Sequence, residues 1–213
     1  LLAGVRVLDF GRYIAGPYCA AVLAEYGADV IRIERRGGGE DRFVAPVTEG
    51  GEGGMFLQMN RNKRSLTLDP MTPEGREIVR KLVAGADVVV ANLPVGALKS
   101  MGLDHETLSS IKPDIILVTS SAFGPTGPMT GNVGFDGVAQ AMSGAIYMTG
   151  QPDEPYRAAG NWVDFGTALH GALGAVMALM ARQRTGRGQV VTGALLHTAV
   201  SFTNASLIEQ AVV

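Results

Sequence analysis

An α/β fold built on a doubly wound, mostly parallel sheet is predicted for this 213-residue chain by three observations. Short runs rich in Val, Ile and Leu alternate with helical patterns, the signature of β-α-β units. One run, Asp87-Val88-Val89-Val90-Ala91-Asn92, is apolar through its centre, as a strand buried on both faces must be. Hydrophobic residues make up 46% of the chain and charged residues 18%, enough to bury a core and to exclude wholesale disorder.

Taken in order, Val5 to Phe10 predicts the first strand and Gly11 to Pro17 a loop. Tyr18 to Tyr26 predicts a helix stopped by Gly27. Asp29 to Glu34 is the second strand, and the glycine-rich, charged stretch Arg35 to Gly54 reads as a long loop. Ser65 to Asp69 is the third strand. Thr72 as N-cap and Pro73 at the first helical position open a helix running to about Ala84. Asp87 to Asn92 and Asp114 to Ser121 are the fourth and fifth strands, with short helices over Val95–Met101 and Asp104–Ser110 between them. A Gly/Pro loop over Phe123–Gly134 leads to a short helix at Phe135–Gly144 and then a turn-rich stretch. Val163 to Arg184 reads as one long apolar helix, followed by a turn, a last strand at Val190–Thr192 and a helix from about Ala194.

The formal charge of −2 leaves no basic field for a nucleic-acid backbone. The single cysteine, Cys19, excludes an internal disulfide and a multi-cysteine metal site, and points to a reducing, cytoplasmic setting. The N-terminus has no signal-peptide pattern, and the apolar stretch Ala168–Ala181 is too short to span a bilayer, so no membrane partner is expected. His105, His170 and His197 lack ligand spacing to carboxylates, so no metal is expected.

The first glycine loop, Gly11-Arg12-Tyr13-Ile14-Ala15-Gly16, is neither G-x-G-x-x-G nor a P-loop. Glu34 at the end of the second strand could serve as the ribose-binding acid of a dinucleotide fold, but without the fingerprint NAD is not expected. Asp164 heads the long helix. It reads either as an N-cap or first-turn acid, which the helix dipole would keep ionised, or as a carboxylate nucleophile toward an activated acyl group.

Several segments, in order along nearly the whole chain, together resemble the class III CoA-transferases, the family of formyl-CoA transferase and carnitine CoA-transferase, whose fold the α-methylacyl-CoA racemases share. They are Gly4-Val5-Arg6-Val7-Leu8-Asp9, Ala15-Gly16-Pro17, Gly27-Ala28-Asp29-Val30-Ile31-Arg32-Ile33-Glu34-Arg35, Asn60-Arg61-Asn62-Lys63-Arg64-Ser65, Thr72-Pro73-Glu74-Gly75, Ala86-Asp87-Val88, Met101-Gly102, Gly134-Phe135-Asp136 and Thr185-Gly186-Arg187-Gly188-Gln189.

The resemblance implies a Rossmann-like large domain over residues 1–192 that binds CoA, with 193–213 beginning a helical linker toward a small second domain. It implies transfer of CoA from an acyl-CoA to a small carboxylic acid through an aspartyl-acyl anhydride, with Asp164 as nucleophile and Thr167 at the expected interval. CoA-contact positions of the family fall on Ile14, Ala15, Arg35, Leu68, Asp69, Asn92, Leu93, Met101, Phe135 and Asp136. The family's Asn-Phe-x-Pro-Gly loop is here Asn92-Leu93-Pro94-Val95-Gly96, and Ile14 stands where some members carry glutamine. Racemases place a histidine at position 135, where this chain has a phenylalanine that cannot carry a proton, which favours transfer over racemisation. A racemase-type isomerase and a non-catalytic CoA-binding fragment are the alternatives. Family members are longer and form interlocked homodimers, so this chain is expected to be truncated, clipped or completed by a separate chain, and inactive by itself.

Overall fold

The structure, a computed structural model, describes residues 1–44 and 46–212. Strands β1 (Arg6–Asp9), β2 (Asp29–Glu34), β3 (Lys63–Thr67), β4 (Val88–Ala91), β5 (Ile116–Ser121) and β6 (Val190–Ala194) form one sheet in the order β3-β2-β1-β4-β5-β6. Every neighbouring pair is parallel. This is the strand order of dinucleotide-binding folds, with its topological switch between β1 and β4.

The helices are α1 (Ala15–Glu25), α2 (Gly54–Met59), α3 (Pro73–Ala84), α4 (Val95–Met101), α5 (His105–Ile111), α6 (Asp136–Met142), α7 (Ala145–Thr149), α8 (Trp162–Thr185) and α9 (Leu195–Val212). Alternating strand residues feed two core layers, as the period of two requires. Val7, Val30, Val88, Val90, Ile116 and Val118 face α1 and α8. Leu8, Ile31, Ile33, Val89 and Leu117 face the opposite layer, with Val79 and Val83 of α3 and Leu108 of α5. α8 approaches the sheet and α1 closely because its inner face is made of Gly and Ala. A Cβ on Gly171 would lie 3.2 Å from Val118 Cγ1 and 3.3 Å from Cys19 Sγ.

Several expectations shift. α1 starts at Ala15 and not at Tyr18, and Pro17 is accommodated because first-turn amides have no partner within the helix. The expected long loop 35–54 contains a 3-10 turn at Glu40–Phe43 and runs into α2, and the turn-rich stretch contains α7. At 24 residues α8 is long and apolar enough to cross a bilayer, longer than the Ala168–Ala181 stretch. Half of its apolar span is buried, and the helix packs on α1, β5 and β6. β6 runs to Ala194, past residue 192, and α9 lies against α6 and α8.

β3 begins at Lys63 and not at Ser65, because the Lys63 ammonium is drawn inside. Its Nζ donates to Asp9 Oδ2 at 2.7 Å, to the Pro17 carbonyl at 2.7 Å and to Asn60 Oδ1 at 3.0 Å. Asp9 Oδ1 accepts from the Gly11 amide at 2.8 Å. Arg32 lies 3.7 Å from Asp9 and donates to Asp41 Oδ2 at 2.7 Å and to the Gly11 carbonyl at 3.0 Å. Burial opposes ionisation of Asp9, yet the Lys63 and Arg32 charges hold its carboxyl below the usual range. The cluster pins the loops after β1 and β2 to the sheet edge.

Removing one member of such a cluster strands the others. Asp9→Ala is expected to cost about 3–5 kcal/mol in urea unfolding, whereas Arg64→Ala, which breaks an exposed pair with Asp29, costs less than about 1 kcal/mol. Equal costs would refute the role given to Asp9.

Candidate active site

In an all-parallel sheet the loops that follow the strands gather at one edge, and α8, running back toward β6, places its head at that edge. Asn161 at the N-cap gives no side-chain bond to the helix head. The bond comes from α6. Asp136 Oδ2 accepts from the Val163 amide at 2.9 Å and from the Asp164 amide at 3.0 Å. Asp136 Oδ1 accepts from Gln140 Nε2, and Gln140 Oε1 accepts from the Ala158 amide at 3.0 Å.

The second and third amides of the helix are thereby spent on Asp136. No described residue donates a hydrogen bond to the Asp164 carboxylate. Burial, and then the charge of Asp136, push the Asp164 carboxyl from the ordinary 3.8 up to about 7. This corrects the expectation that the helix head keeps Asp164 ionised. A helix dipole contributes about 0.3–1 kcal/mol at an exposed site, while a shift of this size corresponds to roughly 4 kcal/mol. Desolvation wins.

One turn below, Thr167 Oγ1 donates to the Val163 carbonyl and lies 2.8 Å from Thr198 Oγ1 on α9. Beneath it lies a void of about 10 Å³ lined by Ser120, Asn92, Cys19 and Gly171 among others. Burial pushes the Cys19 thiol up to about 12, in keeping with packing. Phe165 meets Tyr18 edge-on at 4.8 Å, and the exposed Phe135 meets Tyr13 edge-on at 6.0 Å. Tyr13 holds φ at 59°, a left-handed conformation that is strained for a bulky residue.

The positions matched to CoA contacts fall into two groups. Ala15 and Asp136 lie against the α8 head, with Ile14 and Phe135 next to them in sequence. Ile14 and Ala15 are buried, Ala15 against Ala139 and Val163, and the Asp136 carboxylate is turned inward. Arg35, Leu68, Asp69, Asn92 and Leu93 follow β2, β3 and β4 along the edge, and Met101 ends α4. Arg35 is exposed, donates to the Gly38 carbonyl at 2.9 Å and pairs with Glu40 at 2.7 Å. The Asn92 side chain is committed to the backbone of Arg12, accepting from its amide at 2.7 Å and donating to its carbonyl at 2.9 Å. Gly16 is required beneath it, since a Cβ there would sit 2.5 Å from Asn92 Oδ1. Leu68, Leu93 and Met101 pack into the second core layer. Asp69 caps its own turn through the Met71 amide at 2.9 Å. Glu34, considered above for a ribose, is held bidentate by Arg42 at 2.6 and 2.9 Å. Among the described residues no group of three or more His, Cys, Asp or Glu could hold a metal ion.

Gln140 and the cluster of Asp9, Arg32, Asp41 and Lys63 were not anticipated. Arg32 in the middle of an apolar strand was the available signal, since a buried charge needs a partner. Nothing local marks Gln140.

Residues 2–213 match the family described as CoA-transferase family III. The chain is 41% identical to the succinyl-CoA:glutarate CoA-transferase of Mus musculus, over 94% of this chain and 46% of that protein. It is also 41% identical to the formyl-CoA:oxalate CoA-transferase of Rhodopseudomonas palustris, over 98% of this chain and 49% of the relative. A CAIB/BAIF family protein from Brucella suis has a solved structure that superimposes with a TM-score of 0.93 at 38% identity, covering 99% of this chain and 57% of that one. The chain thus spans about half the length of the curated relatives it matches.

The raised Asp164 value carries a stability consequence of definite sign. The unfolded chain loses this proton near pH 3.8 and the folded chain near pH 7. Stability therefore falls as pH rises between those values and then stays level. Asp164→Asn removes that loss. The variant is expected to be more stable than the parent by about 2–4 kcal/mol near pH 8, with the gap closing below pH 4. Thermal unfolding across this range checks it, and a gap independent of pH would contradict it.

Proposed function

The chain belongs to CoA-transferase family III, and on that premise we propose that it moves CoA from an acyl-CoA to a small carboxylic acid, with Asp164 as the nucleophile. The observation that carries this reading is a desolvated carboxylate at a sheet edge, with no hydrogen-bond donor among the described residues to blunt it and its pKa pushed up to about 7.

The chemistry balances through Asp164. Its carboxylate attacks the thioester carbonyl, the C–S bond breaks, and CoA leaves as thiolate from an aspartyl-acyl anhydride. The thiolate then attacks the aspartyl carbonyl, which releases the donor acid and leaves an aspartyl thioester. The acceptor carboxylate attacks that thioester and expels the thiolate again. The thiolate takes the acceptor acyl group as the new acyl-CoA and frees Asp164. Each step conserves the activated acyl bond, so no nucleotide is consumed. A tetrahedral oxyanion forms in each attack and needs N–H donors directed at it.

CoA is read as lying along the edge after β2, β3 and β4, with Arg35 toward a phosphate. A racemase reading lacks a proton carrier at position 135, where Phe135 stands exposed against Tyr13. We also read the protein as a cytoplasmic homodimer without membrane, metal or NAD. The exposed apolar row Leu169, Leu173, Met177 and Met180 on α8 supports the dimer.

With donor acyl-CoA present, hydroxylamine is expected to trap the full-length protein as a hydroxamate, and peptide mapping should place it on the peptide containing Asp164. Asp164→Asn should lower turnover by roughly 10³-fold or more. A hydroxamate on another peptide, or a variant with near-parental turnover, would end this mechanism.

CoA titration tests the phosphate contact. Arg35→Ala is expected to weaken CoA by about tenfold or more, the worth of a charge-assisted bond. Glu40→Gln, which releases Arg35 from its ion pair, should tighten it. Unchanged affinity in both variants removes Arg35 from the site.

A further inference from the structure

Asp136 occupies a position matched to a CoA contact, yet its surroundings describe a different task. It is 3% exposed, and Gln140, one turn along α6, is 1% exposed. Both Asp136 oxygens are occupied, Oδ2 by the amides of Val163 and Asp164 and Oδ1 by Gln140. Gln140 passes the connection on, accepting from the Ala158 amide at 3.0 Å and reaching the Gly160 carbonyl at 3.4 Å. Apart from the bond between the two side chains, every one of these bonds ends on the segment 158–164.

We propose that Asp136 and Gln140 are a pair of positioning residues that hold the backbone of the nucleophile, fixing the register of α8 from α6 and keeping the helix amides away from the Asp164 carboxylate. The inference rests on the reading of Asp164 as nucleophile. An N-cap at position 161 would tie the helix head only to the segment that leads into it. A carboxylate supplied from α6 ties it to a second element, which itself packs on α9. The same carboxylate takes the two amides that would otherwise solvate the Asp164 side chain. With those donors withdrawn, Asp164 is left desolvated beside a like charge.

Other charged or titratable groups near the α8 head do not compete for this role. Tyr18 of α1 meets Phe165, Arg157 of the preceding loop reaches Asn161 Oδ1 at 3.4 Å, and His170 of α8 lies against Phe202. α9 contributes Thr198 and Phe202, which carry no charge.

Three variants test the pair. Asp136→Asn keeps an acceptor for the amides and removes the charge. The ¹³C titration of the Asp164 carboxyl should then move to lower pH by about one unit or more. Gln140→Met removes all three Gln140 bonds while keeping the volume. Hydrogen exchange at the Val163 and Asp164 amides should accelerate at least about tenfold, with the β4 amides unchanged. Gln140→Glu can donate to Asp136 only while protonated, so protection of those amides should return at low pH and fail at high pH, a reversal that a merely structural role would not show. In the full-length protein, Gln140→Met should lower kcat with little change in KM for acyl-CoA. If Asp136→Asn leaves the Asp164 titration in place and weakens CoA binding instead, Asp136 is a CoA contact and the proposal is wrong. If Asp136→Asn does not fold, the exchange and Gln140→Glu arms decide. The titration and exchange measurements do not depend on turnover, so they succeed or fail separately from the anhydride mechanism.

Discussion

Two consecutive amides at the head of α8 need an acceptor, and one buried carboxylate satisfies both. Much of the site follows from that sharing. A helix beginning at Trp162 has four free N–H groups at its start, and burying them unpaired would be costly. Asp136 pairs the second and third of the helix residues from another element, so the position of α6 and the rotation of α8 become one variable. Asp164 then projects into a space from which both water and helix donors are largely withdrawn.

The sheet edge is prepared by a second set of buried charges. Asp9 closes the end of β1, Lys63 opens β3 from inside the protein, and Arg32 reaches from β2 to Asp41 in the 3-10 turn. These contacts fold the loop after β1 back over the switch point, where Asn92 clasps the backbone of Arg12. The strained Tyr13 is held between those two restraints. A buried ion cluster adds less stability than its Coulomb attraction suggests, because each charge has lost its hydration. What it supplies here is location. An apolar cluster in the same place would tolerate several loop conformations.

The strands and α3 were legible because their signals are local. Runs such as Val88-Val89-Val90 and the Thr72-Pro73 start carry their meaning within a few residues, and the Thr72 side chain does accept from the Gly75 amide at 3.0 Å. Asp164 was legible only through the ordered motifs, since locally it reads equally as a first-turn acid. Its protonation was misjudged because the competing acceptor, Asp136, lies 28 residues away in sequence. The early start of β3 was missed for a similar reason. Lys63 reads as a surface residue until Asp9, 54 residues distant, is brought beside it. Gln140 had no signal, being an ordinary residue on a short helix whose partners lie in a loop 18 and 20 residues on. What the chain hides is consistently long-range polar pairing, and here that pairing builds the site.

A carboxylate near neutral pKa suits the chemistry assigned to it. Along the proposed sequence Asp164 must attack a thioester and later be expelled from an anhydride. An ordinary aspartate with its pKa at 3.8 is fully ionised at neutral pH and leaves well, but it is a weak nucleophile. One raised far above 7 attacks well in its ionised form, yet is mostly protonated and leaves reluctantly. Reactivity in attack and in departure change in opposite directions with basicity, so an intermediate value serves both. Burial sets the larger part of that value and the Asp136 charge raises it further. The same carboxylate that orients the backbone of Asp164 therefore also adjusts its basicity, and orientation and reactivity are coupled through one side chain.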